Sequence, residues 1–133
     1  MLQYMLDTNT VSYAFRGHES VVAAIREHAP SELCVSAVTV SELRYGAARR
    51  NSKRLQQLID AFTGGIAVVA YDDFCAHHYG DIAADLAKRG APIGELDVMI
   101  AAHAMALDIT LVSNNTKHFR RVRGLKIENW AEA

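Results

Sequence analysis

The sequence predicts an α/β fold, in which a mainly parallel β-sheet carries helices on both faces. Short apolar segments alternate with longer segments of helical periodicity, which is the βαβα order of parallel sheets. The first of them, residues 2–6, is mostly apolar and is followed at once by polar residues, as at the end of a buried strand. With 133 residues and a hydrophobic fraction of 50%, the chain is expected to form one domain, residues 1–133.

Two strands and four helices are predicted before the third strand. Capping residues, and the glycine or proline that stops a helix, mark the helix ends. Apolar residues three or four apart mark the faces that pack on the core. The predicted elements are a strand at 2–6, a helix at 8–16 stopped by Gly17, a helix at 18–29 ended by Pro30, a strand at 33–36, a helix at about 38–50, and a helix capped by Asn51 or Ser52 that ends before Gly64 and Gly65.

Three strands and three helices follow. The first of these helices carries Phe74, His78, Ile82 and Leu86 one turn apart on its predicted apolar face. The second is rich in alanine, which permits close packing against the sheet. The predicted elements are a strand at 66–70, a helix from the cap Asp72 to Gly90, a loop at 90–94, a helix at about 95–107, a strand at 109–112, a short helix at 115–121 and a short strand at 125–127.

Composition and charge exclude several classes of protein. The formal net charge is −1, so no global field attracts nucleic acid. No apolar run approaches the roughly 20 residues that span a bilayer, and the N-terminus lacks the pattern of a secretory signal, so a cytosolic protein is expected. Cys34 and Cys75 lack paired spacing and Cys34 lies in an apolar segment, so a buried thiol is expected rather than a disulfide.

Basic residues are concentrated in two clusters. Such clusters are usually solvated faces, and they gain interest only where they flank a site. The first cluster is Arg44, Arg49, Arg50, Lys53 and Arg54, and the second, which contains no acid, is Lys117, Arg120, Arg121, Arg123 and Lys126.

Three acidic residues occupy equivalent positions in the predicted sheet. Asp7 directly follows the first strand, Glu42 lies early in the helix after the second strand, and Asp97 lies in the first turn of the alanine-rich helix. Strand ends and the starts of the succeeding helices share one edge of a parallel sheet, so these carboxylates can converge. Close carboxylates repel one another unless a cation is supplied. Magnesium takes oxygen ligands, can polarise a phosphodiester and lowers the pKa of a bound water.

Each acid also has a purely structural interpretation. Asp7 can cap the following helix, Glu42 can face solvent among arginines, and Asp97 can interact with the helix dipole. Thr8 and Ser113 border the same pocket, where their hydroxyls can orient a phosphate or a water molecule, or only cap helices.

Other chemistries have less support. Four histidines, at 77, 78, 103 and 118, lack zinc-like spacing, so structural roles are favoured. The segment Asp7-Thr8-Asn9 is similar to aspartyl-phosphate phosphatases, but Asn9 stands where the second acid is needed. Serine and cysteine nucleophiles lack a positioned base, and a phosphate-cradling glycine loop is missing.

Four segments surround the three acids and occur in a fixed order: LDTNT at 6–10, SELRYGA at 41–47, PIGELDVMIAAHA at 92–104 and LVSNNTKHF at 111–119. Together they resemble the motifs of PIN-domain ribonucleases, and most closely those of VapC toxins from bacterial VapBC toxin–antitoxin modules. The ending at 124–130 is also similar to that subgroup, so the resemblance covers essentially the whole chain.

The resemblance implies a three-layer α/β/α sandwich and magnesium-dependent endonucleolytic cleavage of RNA, with Mn²⁺ as a possible substitute for Mg²⁺. Asp7 and Asp97 match the metal-binding acids. Glu42 matches the third acid of the pocket, which completes the expected metal set and holds or deprotonates the attacking water.

Many PIN domains carry a fourth acid after the fourth strand, and this sequence has Asn114-Asn115 there instead. Asn115 is the fourth catalytic candidate, and either asparagine can bind a metal-coordinated water. His118 stands where an acid often precedes the phenylalanine, and Glu95 is a candidate to restore the missing charge. One and two metal ions both remain open.

The resemblance also implies partners: a VapB-like antitoxin that covers the acidic pocket, and a homodimer within a larger toxin–antitoxin assembly. The expected substrate is a structured RNA, with initiator tRNA cleaved in its anticodon loop as the leading candidate. Lys117, Arg120 and Arg121 are expected to steer its phosphates. An apolar stripe that is core by default corresponds in VapC-like proteins to an antitoxin groove; it consists of Tyr45, Leu55, Leu58, Ile59 and Phe62.

Two alternatives stay open. One is a catalytically weak PIN-like module that acts mainly through its protein partner, which the missing fourth acid favours. The other is phosphomonoester hydrolysis, which would appear as faster turnover of a generic phosphate ester than of RNA.

Overall fold

Five short parallel strands alternate with seven α-helices in residues 1–132, the part of the chain that the computed structural model describes. The predicted class and order of elements are confirmed. The elements are β1 (Tyr4–Leu6), α1 (Thr8–Phe15), α2 (Glu19–Arg26), β2 (Leu33–Ser36), α3 (Ala37–Arg49), α4 (Lys53–Gly65), β3 (Ala67–Val69), α5 (Asp73–Lys88), α6 (Glu95–Ala106), β4 (Thr110–Val112), α7 (Thr116–Phe119) and β5 (Ile127–Glu128), with a 3-10 turn at Pro30–Glu32.

The strands form one sheet in the order β3-β2-β1-β4-β5, and every neighbouring pair is parallel. The chain moves outward from β1 through β2 to β3, and then returns to place β4 on the other side of β1. The boundary between β1 and β4 is therefore a topological switch point, where open α/β sheets form a crevice outside the carboxyl ends of the strands.

Two apolar clusters cover the two faces of the sheet and produce the three-layer arrangement. Met5 and Leu6 in β1 are fully buried in opposite clusters, because successive side chains of a strand alternate between its faces. The layer of α5 and α6 packs closely through the buried alanines Ala101, Ala102 and Ala104 of α6, and α1–α4 cover the other face. Each large apolar side chain buried in this way contributes about 1.5–3 kcal/mol.

The bounds of several elements differ from prediction, and α2 ends at Arg26 instead of at residue 29. α4 continues through Gly64 and Gly65, which were expected to lie beyond it. Glycine costs a helix only about 1 kcal/mol, and packing of the helix through buried Ile59 offsets that cost. β5 covers Ile127–Glu128 instead of 125–127, because pairing with β4 sets its register.

Two aromatic residues that were assigned to apolar faces are exposed. Phe74 is 58% exposed and Tyr45 is 63% exposed, so neither belongs to the core. Cys34 is a buried free thiol, as predicted, and burial raises its pKa to about 12. Within residues 1–132, the structure contains no helix that is both long and apolar enough to cross a membrane.

Candidate active site

Asp7 lies at the carboxyl end of β1, beside the switch point. Its backbone N–H donates to the carbonyl oxygen of Val112 in β4 at 3.0 Å, and its Oδ1 accepts from the Thr10 N–H at 2.8 Å as the N-cap of α1. The residue is only 5% exposed, and burial raises the pKa of its carboxyl, although hydrogen bonds from Ser113 and Thr10 act in the opposite direction. Asp7 is thus both a helix cap and a carboxylate that is costly to ionise.

Glu42 reaches the same edge of the sheet from α3. Ser36 at the end of β2 caps that helix by accepting a hydrogen bond from the Val38 N–H at 3.0 Å. The Glu42 side chain accepts a 2.6 Å hydrogen bond from the hydroxyl of Thr8, the residue that follows Asp7. This contact joins α3 to the start of α1 and fixes the Glu42 carboxylate beside the Asp7 segment.

Asp97 lies in the first turn of α6, whose N-cap, Gly94, offers no side chain to the free N–H groups. Burial raises the pKa of the Asp97 carboxyl, and the charges of Asp7 and then Glu42 raise it further. Such repulsion requires the carboxylates to lie near one another. The structure therefore brings the three predicted acids to one edge of the sheet.

Asn115 lies next to this cluster at the N-cap position of α7. Its Nδ2 is 3.1 Å from His118 Nδ1, and the same His118 nitrogen is 4.0 Å from a carboxylate oxygen of Asp97. The Asn115 N–H also donates to the hydroxyl of Ser113 at 2.9 Å. Asn115 and His118 together thus contact the acidic cluster from the β4 side.

The structure places the remaining candidates elsewhere or in other roles. Glu95 is exposed and lines a separate cavity between α5 and α6. Asn114 donates through Nδ2 to the hydroxyl oxygen of Tyr13 at 3.0 Å. In the second basic cluster, Arg121 donates to the carbonyl oxygen of Pro92 at 2.9 Å, which ties α7 to the loop before α6.

Sequence reasoning missed Tyr13 and Thr10 as parts of this site. Thr10 donates its hydroxyl hydrogen to the Val112 carbonyl oxygen at 3.1 Å and is buried. Its position three residues after an aspartate could have indicated a capping partner. Helical periodicity carries no signal for the contact between Tyr13 and Asn114, because the two residues are 101 positions apart in the chain.

Comparison with known proteins shows the family of this chain. The family model for the PIN domain matches residues 4–125. Ribonuclease VapC2 of Haemophilus influenzae strain Rd is 40% identical over 131 residues, which cover 98% of this chain and 99% of the relative. The chain belongs to the VapC group of PIN-domain ribonucleases. A further VapC-group relative, the tRNA(fMet)-specific endonuclease VapC of Shigella flexneri, is 39% identical over 98% of this chain and all of its own length.

Solved structures of VapC-group complexes share the fold. The structure of DNA-bound VapBC from Salmonella typhimurium matches with a TM-score of 0.92 and 36% identity, over 98% of this chain and 99% of that chain. VapBC2 from Rickettsia felis, bound to a promoter DNA fragment, matches with a TM-score of 0.90 and 33% identity, over 97% and 99% of the two chains. The three-layer α/β/α architecture is therefore that of VapC proteins.

The donor set of this VapC-group site fits a hard divalent cation. Within residues 1–132, no group of three or more Asp, Glu, His or Cys side chains is arranged so that it could hold a metal ion. Magnesium does not need one, since it usually keeps several waters and binds one or two carboxylates. Burial raises the pKa of the Asp7 carboxyl, and burial followed by the charges of Asp7 and Glu42 raises the pKa of the Asp97 carboxyl. A bound cation would favour the ionised form of both carboxyls.

Proposed function

We propose that this chain is a magnesium-dependent endoribonuclease whose reaction centre consists of Asp7, Glu42, Asp97 and Asn115. It is the toxin of a toxin–antitoxin module, and it cleaves RNA internally. The observation that carries the assignment of the site is that Asp97 lies close enough to Asp7 and Glu42 for their charges to raise its pKa, at the switch point of the sheet. Its relatives are named as ribonucleases, including endonucleases specific for tRNA(fMet).

Each residue of the site has a separate role in the proposed reaction. Asp7 and Asp97 would hold Mg²⁺ or Mn²⁺, which supplies a Lewis acid for the phosphodiester and lowers the pKa of a water. Glu42, which the Thr8 hydroxyl holds in place, accepts the proton of the water that attacks phosphorus. Asn115 orients that water or a phosphate oxygen through its side-chain amide.

The substrate we propose is initiator tRNA, cleaved in its anticodon loop. A single-stranded loop exposes the backbone that an acidic edge of this kind can reach. The partner is a VapB-like antitoxin, since VapBC complexes of similar sequence share the fold. We expect the antitoxin to cover the acidic cluster, the toxin to form a homodimer in a larger toxin–antitoxin assembly, and both to act in the cytoplasm.

The test is cleavage of a tRNA pool by the purified chain with magnesium, with a chelator, and with the variant Asp7→Asn. Asp81→Asn is the matched control, because Asp81 is exposed on α5. We expect cleavage by the wild type and the control, and its loss with chelator or Asp7→Asn. Cleavage that neither treatment reduces would contradict the metal mechanism.

A catalytically weak module that acts through its antitoxin is the second candidate. The observation in its favour is that asparagines occupy the end of β4, where many PIN domains have a fourth acid. Tight antitoxin binding, together with the lack of magnesium-dependent cleavage of any RNA by wild type, would favour this second function.

A further inference from the structure

A cavity of about 510 Å³ adjoins the acidic cluster between α1, α3 and the start of α4. Thr8 and Glu42, which form the 2.6 Å hydrogen bond of the acidic cluster, also line this cavity. Its floor is apolar and includes Leu43 and Ile59. The cavity therefore adjoins the proposed reaction centre at Glu42 and Thr8.

Three arginines line this cavity: Arg16 at the end of α1, Arg50 at the end of α3 and Arg54 in the first turn of α4. All three are exposed, and within residues 1–132 none has a carboxylate oxygen within 4.0 Å. Glu42 is the one acidic residue in the cavity lining among the described residues. The cavity wall thus carries an excess of positive charge.

The residues of the first basic cluster have different surroundings in the structure. Arg44 pairs with Asp60 at 2.7 Å, and Arg49 donates to the hydroxyl oxygen of Tyr45 at 3.0 Å. Arg50 and Arg54 instead line the cavity. The cluster is therefore only partly a solvated face.

A series of contacts links Arg16 to the acidic cluster. Its guanidinium lies 4.9 Å from the centre of the Tyr13 ring. The hydroxyl oxygen of Tyr13 accepts the 3.0 Å hydrogen bond from Asn114, and the preceding residue, Ser113, hydrogen-bonds to Asp7. A cation at the cavity wall is thus connected to the end of the central strand.

Arg54 lies at the end of α4 where the helix dipole disfavours positive charge. α4 has no acid in its first turn, which begins with Lys53 and Arg54. Cations at a helix N-terminus oppose the helix dipole, so this placement weakens the helix unless an anion is bound.

We propose that Arg16, Arg50 and Arg54 bind phosphates of the RNA nucleotides next to the cleaved bond, so that the cavity is the path of the RNA strand. The inference rests on the proposed function. A cluster of carboxylates repels a phosphodiester, and cations that bind the neighbouring phosphates of the RNA offset that repulsion. An acidic segment of a protein partner would also match the charge, and the cavity lining includes Leu55 and Ile59 of the stripe that corresponds to an antitoxin groove in VapC-like proteins. RNA is favoured because the cavity is continuous with the reaction centre, from which an RNA strand must extend.

The test measures binding of a labelled single-stranded RNA in chelator, across a range of salt concentrations, and cleavage of the same RNA in magnesium. The variant is Arg16→Gln/Arg50→Gln/Arg54→Gln, and a second variant carries lysine at the same positions. Arg26→Gln is the control, because Arg26 is exposed on α2 and lies outside the cavity lining. Thermal unfolding checks that every variant is folded.

We expect the glutamine variant to bind RNA at least about tenfold more weakly and to raise KM more than it lowers kcat. Each lost phosphate contact lowers the slope of log affinity against log salt by about 0.7, so the slope should fall by about 2. The lysine variant should restore the slope, and Arg26→Gln should behave as wild type.

Wild-type affinity and an unchanged slope in the glutamine variant would overturn the inference, as would loss of antitoxin binding with RNA binding intact. Wild type that binds RNA through these arginines but cleaves none would leave the inference standing and refute the proposed function.

Discussion

Asp7 serves two purposes with one carboxylate. One oxygen caps α1 by accepting from the Thr10 N–H, while the charge of the same buried carboxylate raises the pKa of Asp97. An asparagine at this position keeps an oxygen for the cap but removes the charge. The two purposes can therefore be separated experimentally.

We predict that Asp7→Asn lowers RNA cleavage about 100-fold or more and stabilises the metal-free protein at neutral pH. Because the folded-state pKa of Asp7 is raised above 3.8, its contribution to stability is full below pH 3.8 and declines as pH rises through the folded-state pKa. The higher free energy of unfolding of Asp7→Asn should therefore appear above pH 3.8 in denaturant unfolding. Asp7→Ala, which also loses the cap, should be less stable than Asp7→Asn by about 1 kcal/mol; equal stability would refute the capping role.

His103 is a second buried ionisable residue, and it has no place in the proposed reaction. Its Nδ1 lies 2.7 Å from the hydroxyl oxygen of Ser36, whereas its buried Nε2 lacks a hydrogen-bond partner among the described residues. Burial lowers the pKa of the imidazole below 6.5, and the charge of Asp72 only partly opposes this.

We predict that the free energy of unfolding falls as the pH decreases below about 6.5. With a folded-state pKa below the unfolded value, the unfolded chain binds the proton first, so stability is full above pH 6.5 and is lost on acidification. His103→Asn, which keeps a polar atom near Ser36, should flatten this dependence between pH 7 and 5. The exposed His77→Gln is the control, and an unchanged pH slope in His103→Asn would contradict the prediction.

The sequence was sufficient to place the three acids but not their supporting contacts. The positions of the three acids could be predicted because strand ends and helix starts are local properties of the sequence; the acids are Asp7, Glu42 and Asp97. The contact from Tyr13 to Asn114 depends on the directions of two side chains in distant elements. Periodicity contains no information about such a contact.

At the scale of elements, helix caps explain why most helix boundaries were predictable. They carry no information about which face of a helix packs on the sheet. Asp7, Ser52 and Asp72 each accept a hydrogen bond from an N–H of the first turn. Phe74 and Tyr45 are apolar in composition but lie on solvent-facing sides of α5 and α3. Which side of a helix meets the sheet depends on packing as well as on spacing.

We predict that Ser52→Ala destabilises the protein by about 1 kcal/mol and weakens RNA binding, because Ser52 caps the helix turn that positions Arg54. Ser41→Ala is the matched control, since the exposed Ser41 hydroxyl only donates to the Ala37 carbonyl oxygen within α3. Denaturant unfolding and RNA titration measure the two effects. A loss of stability without weaker RNA binding would show that the first turn of α4 has no part in that binding.

At the scale of the whole molecule, the strand order β3-β2-β1-β4-β5 creates the site. The sequence predicted parallel strands, but it did not give their order, because pairing partners are set by crossovers between distant segments. β1 lies between β2 and β4, so the carboxyl ends of these three parallel strands lie side by side at the edge that carries Asp7.

We predict that magnesium stabilises the folded chain. A ligand that binds only the native state adds about 1.4 kcal/mol at ten times its Kd, so thermal unfolding should shift upward with magnesium concentration. Asp7→Asn and Asp97→Asn should abolish the shift, and Asp81→Asn should retain it. An equal shift in all three variants would indicate that magnesium binds elsewhere.

The position of β4 beside β1 has a consequence for the cell that makes this protein. Asp7 is translated well before β4, Ser113 and Asn115, because α1–α6 and the strands β2 and β3 separate β1 from β4 in the chain. A nascent polypeptide therefore lacks this neighbour of β1 until β4 has been translated. We therefore expect fragments that end before β4 to be unable to cleave RNA.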